Sequence, residues 1–262
     1  MLGSGLNCVM VMILQLARQL NLTSMRTKAK TPLAYKVVIA VLIWPALLLF
    51  RRRWRGRPNI PATGGFVVAA NHVSNLDFLP VVHLLAIWAG PPKVLVKESL
   101  MRLPVVGWLL RGSGFIPVKR GTAQAASSLG KATKALEKGH CVLVYPEGTI
   151  TKDPQLWPMR GRPGAVRLAL DAGVPLIPLA HWGAQKLLPP SAKFPRLFPP
   201  TKVSIVVGPA VDLSDLAGLE DRAEAARLGT VRLMAAITAL EAELRQAAPP
   251  TEPFNQFAKV EP

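Results

Sequence analysis

From Gly64 onward, short apolar runs rich in β-branched residues alternate with longer segments of helical spacing. An apolar run bounded by turn residues predicts a buried strand, and a stripe of period 3.6 predicts a helix. Elements that alternate in this order form a layered α/β domain. The predicted strands are Phe66–Ala70, Val94–Val96, Phe115–Val118, Val142–Tyr145, Leu176–Leu179 and Val203–Val207. The predicted helices are Leu79–Ile87, Ala123–Glu137, Ala165–Asp171 and about Asp221–Ala247.

The chain begins with two uncharged apolar runs, Met1–Ala17 and Val37–Phe50. The second is interrupted by Pro45 and has 14 residues, which is about 21 Å of helix against a hydrocarbon core of ~30 Å. Basic clusters follow both runs, so a single crossing would place one cluster outside, against the positive-inside tendency. We therefore predict a monotopic two-helix hairpin on the cytoplasmic face of the membrane, with one spanning helix as the alternative. No basic region precedes the first run, which argues against a secretory signal peptide.

Three parts follow from this pattern: a membrane-associated hairpin with a basic juxtamembrane segment over residues 1–57, an α/β domain over 58–248, and a flexible tail over 249–262. Apolar residues make up 50% of the chain, which excludes disorder of the whole. The net charge is +17 and the mean hydropathy is +0.29. A basic and apolar chain favours an anionic membrane surface as partner, and no aromatic-basic strand or basic recognition helix indicates nucleic acid.

A histidine and an aspartate follow the first predicted strand, in the order Asn71, His72 and Asp77. A carboxylate that fixes the tautomer of a histidine makes the simplest general-base device. Five residues on a regular helix turn through about 500°, so the two side chains meet only if a turn separates them. Pro80 places the start of the next helix near Asp77. The alternative is that Ser74 and Asp77 form a helix cap.

Three further clusters lie at the ends of predicted strands. Adjacent cations, Lys119 and Arg120, close a short strand and suit a phosphate group, or they belong to an ordinary basic loop. Glu147, Gly148 and Thr149 follow another strand; a carboxylate before glycine suits close approach of a substrate, or the segment is a plain turn with a solvated glutamate. The fourth cluster surrounds an apolar strand with prolines, which makes a rigid wall or simply an edge strand: Val174, Pro175 and Pro178.

Taken in this order and spacing, the four clusters resemble the glycerophospholipid acyltransferase family, best known for 1-acyl-sn-glycerol-3-phosphate acyltransferases. The family's first motif, Asn-His-x4-Asp, is matched in full, and Gly114 and Arg120 match the second. Pro146 to Thr149 match the third motif, Pro-Glu-Gly-Thr-Arg-Ser, but Ile150 and Thr151 stand where the family has Arg and Ser. Val174 to Pro178 match the fourth, Val-Pro-apolar-apolar-Pro.

The resemblance implies a mixed β-sheet flanked by helices, an N-terminal membrane anchor, and acyl transfer from a thioester to a glycerol hydroxyl. It implies that His72 is the base, that Asp77 orients it, and that Lys119 and Arg120 hold the phosphate of lysophosphatidic acid. It further implies that Glu147, Gly148 and Thr149 contact the acceptor. No bound cofactor or metal is expected; acyl-CoA or acyl carrier protein would be co-substrate. Because Ile150 stands where the family motif has Arg, Lys152 or Arg160 would supply the missing positive charge.

Two alternatives remain at this point. The first is an acyltransferase of the same superfamily with another acceptor, namely a lysophospholipid, glycerol-3-phosphate or a glycolipid. The second is a non-catalytic module that binds anionic membranes through residues 51–57, in which His72 is dispensable.

Overall fold

The computed structural model describes residues 50–118, 124–192, 194–196 and 201–257. Their centre is one seven-stranded sheet of order β1-β7-β6-β2-β5-β3-β4. All neighbouring strands are parallel except β6 and β7, so the sheet is mixed, as predicted. The strands are β1 Phe50–Arg55, β2 Phe66–Ala70, β3 Lys93–Lys97, β4 Ile116–Val118, β5 Cys141–Val144, β6 Leu176–Trp182 and β7 Thr201–Val207.

Helices cover both faces of this sheet because successive residues of its buried strands point to opposite sides. Phe66 and Val68 of β2 pack on one side of the sheet, whereas Val67 and Ala69 pack on the other. The α-helices are α1 Phe78–Trp88, α2 Pro104–Gly112, α3 Gln124–Glu137, α4 Gly164–Ala172, α5 Ala184–Leu187 and α6 Arg222–Arg245. Helix α1 lies on the first side, and α3, α4 and α6 lie on the second. Two 3-10 helices span Arg57–Asn59 and Glu98–Arg102.

All six predicted strands are present, whereas β1, α2 and α5 were not expected from the sequence. Strand β1 has the sequence FRRRWR and pairs only with β7 at the edge of the sheet. Charged side chains protect an exposed sheet edge from further pairing, which accounts for arginines in a strand. The basic segment predicted to lie beside the membrane thus begins inside the sheet, which starts at Phe50 and not at residue 58.

The apolar hairpin predicted over the first part of the chain lies, up to residue 49, outside the described residues. Among the helices that are described, none combines the length and the apolar character needed to cross a bilayer.

The segment after α6, predicted as a flexible tail, is hydrogen-bonded to the loop that follows β5. The side-chain amide of Gln256 donates to the carbonyl oxygens of Glu147 and Arg160, at 2.9 Å each. The N–H of Arg160 donates to the carbonyl oxygen of Phe254 at 3.0 Å. Residues 254–257 therefore pack against the third of the motif-bearing loops.

Parallel pairing brings the loops that carry the first and third motifs to one end of the sheet. Strands β5 and β6 flank β2 on its two sides and run in the same direction. Their carboxyl ends therefore lie together, which is where ligands bind in open α/β sheets.

Candidate active site

The site is built on the turn between β2 and α1. His72 Nδ1 lies 2.8 Å from Asp77 Oδ2, so the turn brings together the two side chains that the spacing alone keeps apart. Asp77 occupies the N-cap position of α1, but its side chain makes no capping bond. Oδ2 instead accepts the backbone N–H groups of Val73, at 2.7 Å, and Ser74, at 3.0 Å. Asp77 therefore stands at the N-cap position, as one alternative predicted, but its carboxylate does not cap the helix.

These bonds decide which nitrogen of His72 carries the proton. Oδ2 of Asp77 already accepts two N–H groups, so it is an acceptor toward the ring as well. Nδ1 must then donate, which leaves the lone pair on Nε2. Asp77 is 1% exposed and the His72 side chain is 20% exposed. The His72 ring is thus the more accessible member of the pair, with the buried Asp77 side chain behind it.

A second histidine, which the sequence analysis missed, backs this turn. His181 Nε2 lies 2.8 Å from the carbonyl oxygen of Asn71 and 3.6 Å from Asp77 Oδ2. The Asn71 amide accepts from the His181 N–H at 2.9 Å and donates to the His181 carbonyl oxygen at 3.0 Å. Both residues are fully buried. The end of β6 therefore clamps the end of β2 through polar bonds.

Helix α6 contributes a buried carboxylate to the same network. Glu241 Oε2 accepts from the Asn71 amide at 2.7 Å, and Oε1 accepts from Arg245 at 3.0 Å. The guanidinium of Arg245 lies 3.7 Å and 4.2 Å from the ring centres of Trp157 and Trp182. Burial raises the pKa of Glu241 to about 7, although Arg245 and Asn71 lower it in part. Its position at four-residue steps from Leu233 and Ile237 is the sequence signal that would have found it.

Glu147 holds His72 from the other side. Its Oε1 accepts the backbone N–H of His72 at 2.8 Å, and its Oε2 accepts that of Met159 at 3.0 Å. The side chain is fully buried, so the interpretation of this segment as a turn with a solvated glutamate is wrong. Burial raises the pKa of Glu147 to about 8, against the lowering effect of both backbone bonds. These bonds place Glu147 behind His72, where it fixes the backbone of the turn.

A cavity of about 220 Å³ opens beside the turn that carries His72, on the side of α3 and α4. Tyr145 lines it, and the ring of Tyr145 lies 4.5 Å from that of His72. Burial and the charge of Asp77 raise the pKa of Tyr145 well above its usual value, so its phenol stays neutral. The other lining residues are Leu95, Val118, Ser128, Leu129, Val144, Pro146, Gly148, Arg162, Pro163, Gly164, Ala165 and Arg167.

Two of the four remaining residues predicted to bind the acceptor are among the described residues. Lys119 and Arg120 lie outside the described residues, although Val118, which precedes them, lines the cavity. Gly148 also lines it, with φ +74°, a backbone conformation that favours glycine. Thr149 is half-buried next to it.

The proline cluster belongs to the centre of the sheet. Strand β6, which carries Pro178, lies between β2 and β7, so the interpretation as an edge strand is wrong. The carbonyl oxygens of Pro175 and Pro178 accept from Val67 and Gly208, at 2.9 Å each. Val174 and both prolines stand apart from the lining of the cavity described above. Within the described part of the chain, no group of three or more His, Cys, Asp and Glu side chains is arranged to hold a metal ion.

Known proteins resemble this chain over the same region. A family model described as Acyltransferase matches residues 51–182. The chloroplastic 1-acyl-sn-glycerol-3-phosphate acyltransferase BAT2 of Brassica napus is 29% identical over 59% of this chain, which covers 43% of that protein. A 1-acyl-sn-glycerol-3-phosphate acyltransferase of Bacillus subtilis is 29% identical over 72% of this chain and 88% of its own length. The chain spans between two fifths and half of several other relatives.

A solved structure supports the fold. The crystal structure of the 1-acyl-sn-glycerophosphate (LPA) acyltransferase PlsC from Thermotoga maritima superposes with a TM-score of 0.56. The two sequences are 23% identical, and the match covers 78% of this chain and 76% of that one. The family model spans half of this chain and includes the turn that joins His72 to Asp77. This chain belongs to the acyltransferase family.

Proposed function

We propose that this protein transfers a fatty acyl group from an acyl thioester to the free hydroxyl of 1-acyl-glycerol-3-phosphate, giving phosphatidic acid. The observation that carries the proposal is the 2.8 Å contact of His72 Nδ1 with Asp77 Oδ2, which leaves Nε2 free to accept a proton. The Brassica napus and Bacillus subtilis relatives, both named as 1-acyl-sn-glycerol-3-phosphate acyltransferases, support the choice of acceptor.

In the proposed mechanism, His72 Nε2 takes the proton of the acceptor hydroxyl as its oxygen attacks the thioester carbonyl. The C–O bond forms, the tetrahedral intermediate collapses, and the C–S bond breaks. The thiolate leaves and takes the proton back from His72, so the enzyme is unchanged after each turnover. Asp77 stabilises the transient imidazolium, and general-base catalysis of this kind contributes about 10²–10⁴-fold.

The donor is an acyl thioester of coenzyme A or of acyl carrier protein, and both carriers are anionic. The net charge of +17 attracts either carrier. The same charge favours the cytoplasmic face of an anionic membrane, from which the lysolipid would enter.

The decisive experiment assays the purified full chain with lysophosphatidate and acyl-CoA, wild type against His72→Ala. We expect turnover to fall at least about 100-fold, while the circular dichroism spectrum and thermal unfolding stay as in wild type. His140→Ala is the matched control, because His140 lies just before β5 at the opposite end of that strand from Tyr145. A fully active His72→Ala enzyme would remove this mechanism and favour the non-catalytic membrane module.

A second candidate acceptor has its own support. A lyso-ornithine lipid O-acyltransferase of Pseudomonas aeruginosa is 33% identical over 42% of this chain, and the chain covers 40% of it. Ile150 also departs from the third motif of the phosphate-using relatives. A panel of lysophosphatidate, lyso-ornithine lipid and glycerol-3-phosphate at equal concentration separates the candidates by kcat/KM.

A further inference from the structure

A guanidinium lies beside the third motif, in which this chain has Ile150 where the family motif has Arg. The side chain of Arg162 lies over Gly148: a methyl group added to that glycine would come within 2.9 Å of Arg162 Nε. Arg162 and Gly148 line the same cavity as Tyr145, whose ring contacts His72. The cation is therefore at the cavity beside the catalytic base, although it is 12 residues after Ile150 in the sequence.

This cation is anchored through its backbone and not through an acidic partner. The N–H of Arg162 donates to the carbonyl oxygen of Pro146 at 2.8 Å, which closes the loop between the third motif and α4. None of the ion pairs among the described residues includes Arg162. An exposed guanidinium that needs no protein carboxylate is free to take a phosphate in bidentate fashion.

The segment after α6 supports this arrangement. The guanidinium of Arg162 lies 5.0 Å from the centre of the Phe257 ring, within cation–π distance. The Gln256 amide donates to the carbonyl oxygen of Glu147, the residue before Gly148, and to that of Arg160, two residues before Arg162. The residues that orient Arg162 thus come from two distant parts of the chain.

We infer that Arg162 binds the phosphate group of the acyl acceptor and so supplies the positive charge that the family's third motif carries at position 150. The inference rests on the proposed function, because it names the residue that selects a phosphate-bearing acceptor. It also corrects the sequence-based expectation for this cation. Lys152 and Arg160 have exposed side chains and take no part in lining the cavity, whereas Arg162 lines it.

The test compares Arg162→Gln with Arg160→Gln, two neutral variants of exposed arginines in one loop. With lysophosphatidate, we expect Arg162→Gln to lower kcat/KM by about 10- to 100-fold, mainly through KM, since one charge-assisted contact is lost. Arg160→Gln should stay within about twofold of wild type on the same reasoning. Adding Ile150→Arg to Arg162→Gln should recover part of the loss, because it returns a guanidinium to the position used in the relatives.

Two further arms identify the source of the phosphate. With a monoacylglycerol acceptor, which has no phosphate, Arg162→Gln and wild type should be equally active. With an acyl thioester of N-acetylcysteamine as donor, which lacks the phosphates of coenzyme A, the loss on lysophosphatidate should persist. A loss that disappears with this donor would assign Arg162 to coenzyme A and overturn the inference.

The outcomes separate this inference from the proposed function. If Arg162→Gln uses lysophosphatidate as well as wild type while His72→Ala is inactive, the acyltransferase stands and the role of Arg162 is wrong. If wild type transfers no acyl group to lysophosphatidate, the proposed function itself fails. Unchanged thermal unfolding of both glutamine variants excludes a folding defect as the cause of any loss.

Discussion

Glu147 and Glu241 approach the Asn71–His72 pair from distant parts of the chain, and the interior accommodates their charge in different ways. Glu147 follows β5, accepts two backbone N–H groups, and forms no ion pair among the described residues. Glu241 lies on α6 and pairs with Arg245, which two tryptophan rings enclose. Burial raises both pKa values, to about 8 and about 7.

The two glutamates are stabilised in different ways although both carboxyl groups are fully buried. A buried carboxylate is costly unless a cation or a proton neutralises it. At neutral pH, Glu147 is mainly protonated, whereas Glu241 has a guanidinium beside it. The turn that carries His72 is therefore held by one carboxyl group that relies on its proton and by another that also has a guanidinium beside it.

The largest effect is expected for Glu241→Ala, which leaves the enclosed Arg245 without its carboxylate. Breaking a buried ion pair from one side costs about 3–5 kcal/mol in the free energy of unfolding. Urea denaturation measures it. Glu243→Ala is the matched control, because Glu243 pairs with Arg55 on the exposed side of the same helix. That variant should change stability by about 0–1 kcal/mol. Equal losses in the two variants would show that the buried ion pair contributes no more to stability than the exposed one.

Glu147→Ala should have the next largest effect. It leaves the N–H of buried Met159 without an acceptor, at a cost of about 1–3 kcal/mol. It also frees the backbone of His72, so turnover should fall along with stability. Glu137→Ala, at the exposed end of α3, is the control and should behave as wild type. Wild-type turnover in Glu147→Ala would mean that the bond to the His72 N–H does not help to hold the base.

The smallest effect is a pH dependence that distinguishes the two glutamates. Glu147 has a pKa of about 8 in the folded protein against an ordinary value of 4.5, so the folded state keeps a proton that the unfolded state releases. Stability should therefore fall as pH rises toward 8. His83, whose pKa burial and Arg52 lower to about 4, acts in the opposite sense, but only below pH 6.5.

Between pH 6.5 and 8, the wild type should lose about 1–2 kcal/mol of unfolding free energy. The glutamine side chain of Glu147→Gln does not titrate, so the stability of this variant should decline less over this range. The remaining decline comes from Glu241, whose pKa of about 7 confines its contribution to the lower part of the range. Urea denaturation at several pH values measures both slopes. Identical slopes would contradict a raised pKa at Glu147.

Most strands of the sheet and the His72–Asp77 pair depend on residues that are close together in the sequence, so they were predictable. Runs of β-branched residues predict six of the strands, and His72 and Asp77 lie five residues apart in one turn. Strand β1 was missed because its four arginines contradict the usual composition of a strand; only the exposed edge of the sheet accommodates them.

The support of the site depends on contacts between distant residues, so local patterns do not show which residues meet. Asn71 and Glu241 are 170 residues apart, and His72 and Glu147 are 75 apart. Arg162 escaped notice for a related reason: the loop from Pro146 folds back, so a residue well past the third motif returns to cover its glycine. Position 150 alone indicated that a cation was missing, not where its replacement would lie.

The hydrogen bond from Asn71 to Glu241 bears on how the protein should be shortened for expression. A fragment trimmed to the family match would end at Trp182 and retain the turn, the third loop and the proline-bounded strand. It would lack α6, and with it the buried acceptor beneath Asn71 and the arginine that stacks on Trp157. Such a fragment would contain every motif by which the family is recognised. It would nevertheless lose the buried carboxylate that holds Asn71, the residue before His72.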